Sequence, residues 1–135
     1  DSNTTTRAVP IKGKLVGAPE TVFFSGTAQV TSTLVPDATF GEPPGVVLSV
    51  NLQNIAARGL SGQIYVARSE QLLIRQFALR DLIEIHFPVF PDSAGGGLSA
   101  RSALWSFKLA YDVKTGTLTG ARGKVRKPRR DLSTL

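Results

Sequence analysis

The chain has no cysteine and no methionine, and among its 135 residues only one histidine and one tryptophan. Without cysteine, neither a disulfide framework nor a thiolate metal site can form. His86 has only Glu84 beside it as a second candidate ligand or as the orienter of a base, and two ligands do not close a zinc site. There is no Gly-x-Ser-x-Gly turn, and Gly95-Gly96-Gly97 lacks the Lys-Ser/Thr of a phosphate loop, so flexibility is its default reading. No run approaches the roughly 20 apolar residues of a membrane helix. The signatures that small enzymes display are missing, and the expectation is a protein that is not an enzyme and holds no cofactor and no metal.

What is present is alternation. Trp105, Phe107, Leu109 and Tyr111 recur at every second position, separated by Ser106, Lys108 and Ala110. A period of two belongs to a pleated strand with one buried face. Asp112-Val113-Lys114-Thr115-Gly116 then fits a type I turn, in which the Asp carboxylate accepts from backbone N–H groups two residues on and Gly tolerates a positive φ. Ala103 to Val125 therefore reads as a β-hairpin with a lighter return strand from Thr117.

The rest of the chain repeats the pattern. Ala8 to Val16 is a strand interrupted by Pro10 and Gly13, which suits an edge or a bulge. In Thr21 to Val35, Val22, Phe24, Ala28 and Val30 share one face and the threonines the other, with Gly26 permitting a bend or bulge. Phe40 is expected to anchor the loop that follows. Val46, Leu48, Val50 and Leu52 form another inward stripe, and Ala57 to Gly62 reads as a turn before a short strand over Gln63 to Ala67. Arg68 to Arg80 fits a strand or one helical turn capped by Ser69, with Leu73 and Phe77 on one face. Ile83, Ile85 and Phe87 mark a strand ended by Pro88 and Pro91, with Leu82, Glu84 and His86 opposite. The fold expected is all-β: an antiparallel sandwich or small barrel of six to eight strands, with room for one short helix near Ser69 to Leu79. It spans residues 8–125 as one domain, between a flexible lead (1–7) and a basic, flexible tail (126–135).

Net charge is +6, and six basic residues with no acidic one lie between Arg122 and Arg130: Arg122, Lys124, Arg126, Lys127, Arg129 and Arg130. The remaining residues sum to zero. Clustered Lys and Arg hold polyanions by releasing condensed counterions, so anionic lipid, polysaccharide and nucleic acid are the candidate partners. The bland alternative is a solvated strand face, since Arg122, Lys124 and Arg126 alternate as the wet side of a last strand would. No aromatic residue accompanies this segment to stack on bases. Phe23 falls on the Thr-rich face of its strand and marks a candidate apolar contact patch. Two further readings stay open: a carrier of a small apolar ligand inside a closed barrel, and a small hydrolase whose carboxylates meet only in space.

The polar start Asp1-Ser2-Asn3-Thr4-Thr5-Thr6, the missing Met and the Thr-rich strands lead to the expectation of a processed, exported protein. In addition, Ser106-Phe107-Lys108-Leu109, Tyr111-Asp112 and Thr115-Gly116-Thr117-Leu118-Thr119-Gly120 resemble the C-terminal hairpin of small exported proteins of Gram-negative proteobacteria with no assigned activity. That resemblance implies a periplasmic or secreted location and no catalytic residues.

Overall fold

The computed structural model describes residues 4–17, 20–35, 44–67, 70–92 and 101–126. The described chain is all-β, in eight strands: β1 (Thr4–Leu15), β2 (Val22–Val35), β3 (Gly45–Gly59), β4 (Ile64–Val66), β5 (Glu70–Gln76), β6 (Arg80–Pro91), β7 (Arg101–Tyr111) and β8 (Leu118–Arg126). Pairing runs β2-β1-β8-β7-β6-β4-β3-β5, and β2 also pairs with β3, so the sheet curls back on itself as a partial barrel. Closure at β4–β6 takes two residue pairs, Tyr65 with Pro91 and Val66 with Phe90. Beside it β5 pairs only with β3 among the described residues. Gln71 Nε2 donating to the His86 carbonyl at 3.1 Å, and the Arg75–Asp81 ion pair at 2.8 Å, bridge β5 to β6 where no ladder does.

One pairing departs from the expected antiparallel sheet. β1 and β8 run parallel, with Ile11 opposite Gly123 and Gly13 opposite Val125. The reason is parity. The ring β1-β2-β3-β4-β6-β7-β8 has seven members, every other neighbour in it is antiparallel, and an odd ring cannot alternate direction all the way round. The glycines sit where the two strands crowd. A Cβ on Gly13, whose φ is 153°, would lie 2.6 Å from the Val125 carbonyl oxygen, and one on Gly123 would run into the Ile11 side chain. Pro10, which has no N–H to donate, directly precedes this contact.

The alternating residues meet inside. Trp105, Phe87 and Phe107 are fully buried, and Trp105 stands edge-on to Phe24 and Phe87 with ring centroids 5.3 and 5.9 Å apart. Val46, Leu48, Val50 and Leu52 point inward as their stripe predicts. Ser32, on the inward face of β2, bonds the Tyr111 hydroxyl at 3.2 Å, and Tyr111 packs edge-on against Phe77 at 5.4 Å. Burial in turn pushes the Tyr111 phenol up from its ordinary value. The Asp112 carboxylate accepts from the Lys114 amide at 2.7 Å, and Gly116 takes a φ of 72°, as the expected turn requires.

Several boundaries differ from the sequence reading. β1 already starts at Thr4, and Thr4 and Thr6 meet Thr33 and Thr31 hydroxyl to hydroxyl at 3.1 Å. β3 continues through Ala57, because β2 pairs with it as far as Gly59; the turn is Leu60 to Gln63. Pro88 lies inside β6, opposite Ser102, instead of ending it. The irregularity near Gly26 is a register shift between Thr27 and Gln29. Of the two readings of Arg68 to Arg80 the strand is the one that forms, as β5: the edge of β3 offers a ladder from Gly45 to Asn51, and pairing with it outweighs a local helical turn. Leu73 and Phe77 reach the core all the same. Ser69, Phe40 and Gly95-Gly96-Gly97 lie outside the described residues.

Candidate anion-binding face

On β8 the strand phase that sends Val125 into the core sends Arg122 and Lys124 outward, and both are exposed. Register then assembles a cationic surface from distant parts of the chain. Lys108 of β7 lies beside Arg122, Ser106 beside Lys124, and Lys12 of β1 beside Lys124 from the other side. Lys14 follows on the same exposed phase of β1. The acidic member of this neighbourhood is Glu84, opposite Ser106 on β6.

Of the predicted basic residues, then, the structure brings Arg122 and Lys124 together within the sheet. Arg126 closes β8 opposite Leu104, and its side chain, like Lys127, Arg129 and Arg130, lies outside what is described. Sequence reasoning missed Lys12, Lys14 and Lys108. Their signal was faint but present: each occupies the polar phase of a strand whose other phase is apolar.

The neutral sum of the remaining chain conceals this segregation, because acids elsewhere are engaged locally. Asp81 accepts two hydrogen bonds from Arg75, at 2.8 and 2.9 Å, which hold its carboxyl below the ordinary range. Glu20 accepts from the Ser61 amide at 2.8 Å, the Ser61 hydroxyl at 3.0 Å and the Tyr65 hydroxyl at 2.8 Å. The Ser61 amide above all, then Tyr65, lowers the Glu20 carboxyl, while burial and then Glu20 itself raise the Tyr65 phenol. Glu70 takes a bond from Ser49 at 3.2 Å.

Comparison with protein-family models, with curated proteins and with solved structures finds no match. The geometry therefore carries the functional argument.

Two grooves run along the outside of β6, β7 and β8. One, of about 350 Å³, is lined by Glu84, Ser106, Lys108, Arg122 and Lys124; the other, of about 500 Å³, adds Arg80 above a floor that includes Ala110 and Gly120. Both share Leu82, Lys108 and Arg122, which makes them one furrow with cationic walls and a small-residue floor.

Phe23, 46% exposed, is the apolar patch its phase predicts. It pairs in register with Lys14 and shares a hollow of about 680 Å³ with Lys12, Lys14, Val16 and Lys124. The aromatic that the basic segment lacks in sequence thus stands at its border in space. Glu84 and His86 both face outward on β6, and among the described residues no group of three or more His, Cys, Asp or Glu gathers at metal-binding range.

Proposed function

We propose that this chain is an exported, non-catalytic binding module that lays the outer face of β1, β8 and β7 against a polyanion. The observation that carries the reading is the juxtaposition of Lys12, Lys14, Lys108, Arg122 and Lys124 on one face with Glu84 as their acidic neighbour. Such a surface attracts any polymer of closely spaced negative charge and gains from the counterions that polymer releases. Phe23 at the border supplies an apolar or stacking contact next to the charge. Export is supported by the Thr-rich strands. The alternative of an apolar-ligand carrier requires interior space where Trp105, Phe24 and Phe87 pack against one another, and so has less support.

The test is direct binding of a labelled B-form DNA duplex, heparin and anionic vesicles at several salt concentrations. Neutralising Lys108, Arg122 and Lys124 together, as glutamines, is expected to weaken binding and flatten its salt dependence while circular dichroism stays unchanged. Unaltered binding by that variant would remove the face from consideration.

A further inference from the structure

The furrow contains a polar atom that the fold leaves unused. Ser106 is only 6% exposed although its strand phase points it outward, and its Oγ is one of two buried side-chain polar atoms among the described residues without a hydrogen-bond partner. The other, Trp105 Nε1, belongs to the barrel interior. A hydroxyl withdrawn from water and left unpaired carries an uncompensated desolvation penalty, and in a native protein such an atom calls for an explanation. Here the explanation is at hand in its neighbours. Ser106 lies between Lys124 and Glu84 in register, Lys108 and Arg122 stand two pairs further along on the same face, and all five line the same groove.

We infer that Ser106, Lys108, Arg122 and Lys124 form a discrete subsite for one phosphoryl or sulfuryl group. This rests on the reading of the face as anion-binding and narrows it from a diffuse field to a built site. Ser106 Oγ donates to one oxygen of the tetrahedral group, and the three cations neutralise its charge. The lysine side chains are flexible enough to part and admit it. Glu84 sets the far limit: its carboxylate repels the anion and confines it to the β8 side of Ser106. The groove measures about 350 Å³, which leaves room beside the group for the rest of a larger molecule.

The experiment is an amide-resolved NMR titration of the intact chain with inorganic phosphate and, separately, inorganic sulfate, with ionic strength held constant by chloride. The result expected is a saturable shift centred on Ser106, Lys108 and Gly123. S106A should bind about tenfold more weakly while its spectrum stays dispersed, and E84Q several-fold more tightly. Tighter binding of phosphate than of sulfate favours a phosphoryl group in the subsite, and the reverse a sulfuryl group. Saturation of S106A indistinguishable from that of the unaltered chain, or no saturable shift with either ion, overturns the subsite.

Duplex binding measured on the same samples separates this inference from the broader one. Phosphate binding centred on Ser106 without binding of duplex, heparin or anionic vesicles sinks the polyanion reading and leaves the subsite standing. Salt-dependent duplex binding shared equally by S106A, with no phosphate response, does the opposite.

Discussion

Ser106 shows how far a single residue can depart from its pattern. Alternation with Trp105 and Phe107 marks it as outward and wet, yet it is buried, with Glu84 of β6 and Lys124 of β8 as its register partners. No period in the sequence encodes what covers a residue from the next strand. Since its hydroxyl is unpaired, S106A should stabilise the unliganded protein by about 1 kcal/mol, read as a rise in Tm of about 3 °C; a lowered Tm would mean the hydroxyl has a partner.

Acid stability belongs to the same scale. The carboxyls of Glu20 and Asp81 are held below their ordinary values by Ser61 and Tyr65 and by Arg75 respectively. A depressed folded-state value stabilises above the unfolded one, and that contribution is lost as pH falls through the folded value. E20Q and D81N should therefore melt below the unaltered chain at neutral pH and converge on it in acid. A gap that persists below the carboxylate range would show that packing, not ionisation, separates them.

Among the elements, the β7–β8 hairpin was the most legible, since Trp105, Phe107, Leu109 and Tyr111 keep strict alternation up to a turn whose Asp and Gly have defined tasks. β2, β3 and β6 followed by the same logic. What alternation does not convey is partnership. The extension of β3 through Ala57 depends on β2, β5 depends on the edge of β3, and the parallel β1–β8 contact depends on the count of strands in the ring.

Two outcomes follow at this scale. W105A removes the ring that Phe24 and Phe87 pack against and should cost about 3–5 kcal/mol in denaturant unfolding. G13A, a single methyl directed at the Val125 carbonyl where β1 meets β8, should destabilise well beyond a surface Gly-to-Ala change and speed hydrogen exchange along β8. Stability equal to that of the unaltered chain would mean that the two strands are not in close contact.

At the scale of the whole molecule, charge is the property that the linear sequence misrepresents. Counted along the chain, the cations end in a basic C-terminal segment and the rest sums to nothing. Folded, Arg122 and Lys124 are strand residues sharing a surface with Lys12, Lys14 and Lys108, roughly a hundred positions apart in some cases. Cutting the chain after Ala121 would accordingly remove Val125 from the core along with the charge, so point neutralisation is the cleaner comparison.

The most direct test of the central claim is the salt dependence of binding to a B-form DNA duplex, a polyanion of known charge spacing, for the intact chain and for K108Q/R122Q/K124Q. Each phosphate that the protein no longer neutralises should reduce the slope of log affinity against log salt by about 0.9, so the triple variant should be flatter by roughly 2.7 and weaker at every salt concentration. Equal slopes and affinities for the two proteins would contradict the assignment of this face as the binding surface.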